Sequence, residues 1–176
     1  MFGLFKRGEP QLVPDKPIEM KVAVEIDRPA DEVYALLDFG DERHQLRARG
    51  NLIRQIESDP LSYRLWYDLC PDLNFLFTVT EAAPGRAYAY SATIVPPVGR
   101  RTGAHEAYAI EPLDDGGCRL TFVNTIHHVP GLTPDEIADE IAISSQATAS
   151  SLVKLKMQAE LGIEAVENFE RELGHR

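Results

Sequence analysis

The residues best suited to chemistry lie on two strand-like runs, GAHEAYAIEPL and CRLTFVNTIHHV, joined by the turn Asp114-Asp115-Gly116-Gly117. Successive side chains of a strand point to opposite faces. If Leu120 and Phe122 face the core, so do Asn124, Ile126 and His128, while Tyr108 and Ile110 bring Ala104 and Glu106 to the same side. The turn keeps the runs adjacent in an antiparallel hairpin, which sets Glu106 and Tyr108 opposite or diagonal to Asn124 and close to His128. Four polar groups then converge on an apolar wall. They can orient the polar end of a ligand, or Glu106, Tyr108 and His128 can move protons if burial brings their pKa values toward neutrality. Alternatively they satisfy one another in water at the open end of the sheet.

A second feature is the stretch SSQATASS at 144–151, which sets Ser144, Ser145 and Thr148 where a helix facing a sheet would carry leucine-sized groups. Small side chains there mean either close backbone approach or a void. We read a void, because the strands are rich in aromatic groups that can line a pocket: Tyr63, Trp66 and Tyr67, then Phe75 and Phe77, Tyr88 and Tyr90, and finally Tyr108 and Phe122. The expected ligand contacts are Tyr67, Phe77, Tyr88, Tyr90, Glu106, Tyr108, Phe122, Asn124, His128, Ser144 and Thr148.

Other chemistries have little support. His105 and His127 can approach across the outer face of the hairpin, but two imidazoles without a third ligand do not make a metal site. There is no glycine-rich phosphate loop, G-x-S-x-G elbow or paired C-x-x-C, and Cys118 has no evident base beside it. The net charge of -10 argues against sequence-independent nucleic-acid binding, which needs clustered cations. Arg43, Arg47, Arg49 and Arg54 form a local exception that can meet an anionic headgroup at a cavity mouth; balanced by Asp41 and Glu42, they read first as a solvated helix face. No apolar run approaches the ~20 residues of a membrane-spanning helix. The N-terminal apolar stretch is shorter than a signal-peptide core of ~7–15 residues, so a cytoplasmic protein with two free thiols is expected.

The elements that must position these residues follow from periodicity. Residues 1–19 read as a mobile arm, with Phe2, Leu4 and Phe5 able to dock or touch a membrane. The 176-residue chain otherwise reads as one domain from residue 20 onward. MKVAVEIDR alternates as a strand buried on one side, and PADEVYALLD follows as a proline-started helix. A second short helix is expected from Asp41 to Arg49. Six further strand-like runs, separated by Pro, Gly and Asp turns with no helix between them, predict an antiparallel meander. TPDE places Thr133 at an N-cap with Glu136 able to bond back, opening a helix to Leu173 that bends near Gly162. Its stripe runs through Ile137, Ile141, Leu152, Leu155, Ala159, Val166, Phe169 and Leu173. Unbroken at ~1.5 Å per residue it would reach ~60 Å, longer than such a domain is wide.

This order of elements resembles the helix-grip fold of the START-like SRPBCC superfamily, which includes polyketide cyclases, plant pathogenesis-related allergens, lipid-transfer domains and coenzyme Q-binding proteins. VEIDRPADEVYALLD is similar to that group's opening strand and helix, EPLDDGGCRLTF to its late hairpin and SSLVKLKMQAE to its closing helix. The resemblance covers about residues 20 to 160 and implies an α+β fold, a seven-stranded curved antiparallel sheet wrapped around a long C-terminal helix. It departs from many relatives in having no tryptophan between Phe39 and Arg54, and in continuing past Glu160 with LGIEAVENFERELGHR (161–176), turns that can serve homodimer formation. The expected function is binding or carriage of a hydrophobic or aromatic small molecule without cofactor or metal. The alternatives are a cyclase- or aromatase-type enzyme and a ligand-free protein-interaction module.

Overall fold

The computed structural model describes residues 12–67 and 70–174; Phe2, Leu4 and Phe5 lie outside them. Strand β1 (Ile18–Ile26) is followed by α1 (Ala30–Leu37) and the one-turn α2 (Gln45–Ala48), then by β2 (Leu52–Ile56), β3 (Asp59–Trp66), β4 (Asn74–Ala83), β5 (Ala87–Val95), β6 (Arg101–Pro112) and β7 (Cys118–His128). Two helices close the chain, α3 (Pro134–Leu161) and α4 (Ile163–Glu172). All neighbouring strands are antiparallel, in the order β1-β7-β6-β5-β4-β3-β2. Register breaks at Gln55/Ile56, Val79/Glu81 and Arg101/Gly103 bend the sheet at three places, as bulges do. The seven-stranded helix-grip architecture is therefore present. The strand of β1 starts at Ile18, and ahead of it Val13 N–H donates to the Leu132 carbonyl at 3.0 Å.

One face of the sheet carries the core. Ile26 of β1, Leu120 and Phe122 of β7, Ile110 and Tyr108 of β6, and Leu65 of β3 are buried against Val33 and Leu37 of α1 and Leu152 and Leu155 of α3. The period-2 alternation of the strands and the stripe of α1 supply those positions.

Helix α3 begins as its sequence requires: Glu136 N–H donates to Thr133 Oγ1, and Glu136 Oε2 accepts from Thr133 N–H at 2.9 Å. It is fastened near its C-terminus by Glu160 Oε1, which accepts from Asp27 N–H at 2.7 Å, and by Arg28, which donates to the Glu160 carbonyl at 3.0 Å. Near its N-terminus Glu140 lies 3.4 Å from His128 Nε2, 3.6 Å from Arg101 and 3.7 Å from Arg100. Gly162 ends the helix at φ 87° and ψ 174°, a conformation confined essentially to glycine, so α3 and α4 are separate helices and the long span divides where the bend was expected.

Three local expectations are corrected. The second helix is shorter than Asp41–Arg49, because His44 caps it: its Nδ1 accepts from Leu46 N–H at 3.2 Å. Ile141 and Leu173 are exposed, while the inward positions of the first half of α3 are Glu140, Ser144 and Thr148. Trp66 points away from Tyr63, Leu65 and Tyr67, with the guanidinium groups of Arg64 and Arg54 at 5.5 and 6.0 Å from its ring.

Candidate functional site: a cavity beside the long helix

A cavity of about 460 Å³ opens between α2, the β5–β6 end of the sheet and the middle of α3. Its walls are Tyr67, Phe75 and Phe77 on one side, with Tyr90, Glu106 and Tyr108 across the sheet. Ala92 and Ala104 line it as directly opposed residues of β5 and β6. Their parity matches that of Tyr90 and Glu106, so two methyl groups stand where the neighbouring inward positions carry large side chains. Space therefore comes from the sheet, and α3 contributes Ser151 and Lys154 to the wall.

Glu106 is the polar centre. Register sets it opposite Tyr90 on β5 and Asn124 on β7. Tyr90 Oη donates to Glu106 Oε2 at 2.5 Å and Tyr108 Oη donates to the same oxygen at 2.9 Å, while Oε1 takes no protein hydrogen bond among the described residues. Burial pushes the carboxyl up from its ordinary range, opposed by the two tyrosine hydrogen bonds. Burial, and then the charge of Glu106, push both phenols well above theirs, so they stay protonated donors. The cluster can hold a proton, accept a hydrogen bond from a ligand, or donate one when Glu106 is protonated.

Charges gather at the mouth. Arg49 and Lys154 both line the cavity, and both pair with one atom, Glu170 Oε1 of α4: Lys154 Nζ at 3.2 Å, and Arg49 in direct contact. Arg101 also lines the cavity but is drawn toward α3, donating to Ser144 Oγ at 2.6 Å.

Of the sequence-predicted contacts, Tyr67, Phe77, Tyr90, Glu106 and Tyr108 line this cavity, whereas Tyr88, Phe122, Asn124, His128, Ser144 and Thr148 do not. The difference has physical causes. Phe39, from the loop after α1, inserts into the aromatic group and packs on Phe77, Tyr90, Tyr63 and Tyr88, with ring centroids 4.8 to 6.0 Å apart. Tyr88 Oη accepts from Phe39 N–H at 3.1 Å, so that phenol serves the fold. Phe122 stacks beneath Tyr108 at 4.4 Å.

The expected four-residue convergence is also corrected. Glu106, Tyr108, Asn124 and His128 do share the inward face. But His128 pairs with Arg101 four residues beyond Asn124, about 13 Å along β7, and meets Glu140 rather than Glu106. Asn124 turns to α3, where its Nδ2 donates to Thr148 Oγ1 at 3.1 Å. Ser144 and Thr148 are packed onto the sheet, not set over the cavity. Both are about 1% exposed, and the hydroxyls of Ser145 and Thr148 lie 3.6 and 3.8 Å from Met20 Sδ.

Outside the cavity, His105 Nε2 lies 3.1 Å from Thr80 Oγ1, and His127 stands opposite Gly103. Cys70 is exposed and Cys118 buried, both as free thiols. Among the described residues, no helix is long and apolar enough to cross a membrane.

A seven-stranded antiparallel sheet gripping one long helix beside a lined cavity defines the helix-grip class of fold, and the chain has that fold. Solved structures agree. DynU16, from the dynemicin biosynthetic locus, matches with a TM-score of 0.60 at 16% identity over 86% of this chain, which spans 50% of the DynU16 chain. Ara h 8.0201 matches with a TM-score of 0.57 at 14% identity, over 87% of this chain and 97% of that one. A Thermobifida fusca protein gives a TM-score of 0.56 at 14% identity, over 87% and 93%. No family model and no curated protein matches the sequence.

Proposed function

We propose that the protein binds and carries a hydrophobic, partly aromatic small molecule in the cavity between β4–β6, α2 and α3. The observation that supports this most is the wall itself: about 460 Å³ bounded by Tyr67, Phe75, Phe77 and Tyr90, with one half-buried carboxylate–tyrosine group to fix orientation. Sites for small molecules commonly occupy ~300–1,000 Å³ and combine such apolar walls with a few polar anchors. Titration with the neutral fluorophore N-phenyl-1-naphthylamine tests it. Wild type should bind with a blue-shifted emission, and Ala104→Phe, which puts a ring into the cavity, should lower the affinity at least tenfold while the protein still melts cooperatively. Equal affinities would remove the cavity as the binding site.

A second reading, proton-transfer catalysis of the cyclase or aromatase kind, draws on Glu106. Its carboxyl is held above its ordinary range within reach of cavity contents and between two phenols that do not ionise. A ligand recovered from the native protein by mass spectrometry, incubated with wild type and Glu106→Gln, separates the readings. Turnover by wild type alone favours catalysis, and return of unchanged ligand from both favours carriage.

A further inference from the structure

The cavity of this acidic chain is lined by more cations than carboxylates. The protein carries a net -10, yet its cavity is lined by three cations, Arg49, Arg101 and Lys154, and by one carboxylate, Glu106. Arg101 is engaged with Ser144 and Glu140. Arg49 and Lys154 have only Glu170 between them among the described residues, and both meet the same oxygen of it. Among the described residues, one carboxylate shared by two cations leaves the Arg49–Lys154–Glu170 group with a net positive charge. All three side chains are mostly withdrawn from solvent, between 18% and 26% exposed, so that charge is screened less than a surface pair would be. Glu170 itself comes from α4, which follows α3 after the single residue Gly162.

Resting on the cavity reading above, we infer that the ligand is an amphipathic anion: an apolar or aromatic body against Tyr67, Phe75, Phe77 and Tyr90, and an oxyanion held at the mouth by Arg49 and Lys154. Glu170 occupies the anion position in the structure. A carboxylate suits the site because Arg49 can meet it through two parallel N–H donors while Lys154 supplies a point charge. The opposite end of the ligand faces the Glu106–tyrosine cluster, whose second carboxyl oxygen takes a hydroxyl or other donor.

Two probes of one skeleton test this. N-phenyl-1-naphthylamine is neutral, and 8-anilinonaphthalene-1-sulfonate is nearly the same molecule with an anionic group; dodecanoate and dodecan-1-ol, read by displacement, give the same contrast for a carboxylate. In wild type at low salt, the anionic member of each pair should bind at least tenfold more tightly, and the margin should shrink with added salt. Arg49→Gln and Lys154→Gln should each reduce the margin several-fold, read as the ratio of anionic to neutral affinity within the same variant. Glu170→Gln should raise anion affinity several-fold, because it removes the competing carboxylate; a purely structural role of the Glu170 clamp would lower it. Dodecanoate bound no more tightly than dodecanol, or loss of anion affinity in Glu170→Gln, overturns the inference while the cavity reading stands. Preference for the sulfonate alone overturns the carboxylate assignment. Failure of all four probes to bind overturns both.

Discussion

The Nδ1 atom of His44 caps α2 by accepting the Leu46 N–H, and an imidazole can do so only while that nitrogen is unprotonated. Its ring is 2% exposed and lies 4.7 Å from Phe39, the residue that plugs the aromatic group beside the cavity. Burial, reinforced by the charge of Arg47, lowers its pKa from 6.5 to about 3. A folded pKa below the unfolded one means that the unfolded chain binds the extra proton between those values. The stabilisation is complete above pH 6.5 and is lost as pH falls toward 3. Urea unfolding should show stability falling as pH drops through this window, with His44 contributing roughly 1 kcal/mol per pH unit. His44→Asn keeps a capping oxygen without a titrating group, so it should flatten the slope between pH 6.5 and 5. An unchanged slope would show that the dependence arises elsewhere.

Among the elements, α3 divides its work along its length. Its first half presents Ser144 and Thr148 to Met20, Asn124 and Arg101, and approaches β1 and β7 closely. Its middle presents Ser151 and Lys154 to the cavity. Replacing Thr148 with Phe should therefore overpack the sheet, cost ~1–3 kcal/mol and lower the melting temperature by several degrees, with neutral-probe affinity unchanged. Calorimetry and titration on this one variant check it; the reverse pattern would mean that space lies under Thr148 after all. The same division explains how one helix both closes the core and leaves a pocket open: it is clamped by Glu140 at one end and Glu160 at the other, and the cavity lies beside the span between them.

For the molecule as a whole, the two cysteines report on different scales. Cys70 is exposed in the β3–β4 connection, whereas Cys118 is fully buried at the start of β7, opposite Ile26 of β1 and Pro112 of β6. β7 lies between β1 and β6, so reaching that thiol requires the sheet to open. Native protein should react with a thiol reagent at one site, mapped by mass spectrometry to Cys70. Labelling of Cys118 should follow the global unfolding curve in denaturant. Rapid native labelling of Cys118 would mean that the β1–β7 edge opens on its own.

Period-2 alternation, turn residues and the Thr133–Glu136 cap are local properties, and what rests on them can be read from the chain alone: seven antiparallel strands, the long closing helix, its bend at Gly162 and the common inward face of Glu106, Tyr108, Asn124 and His128. Tyr67, Phe77 and Tyr90 were legible as wall residues for the same reason. The opposed alanines were half visible, since parity already put Ala104 on the face of Glu106. Where the space lies is a property of the assembled fold. A void is what remains after every element has docked, and it depends on long-range facts with no local signature: Phe39 arriving from a loop to fill the aromatic group, α3 pressing its small residues onto Met20, and α4 returning Glu170 to Arg49 and Lys154. Polar groups on one face are likewise not yet neighbours. Asn124 bonds to Thr148 and His128 lies beside Glu140, because a helix crossing the sheet meets different strand positions at different points along its length.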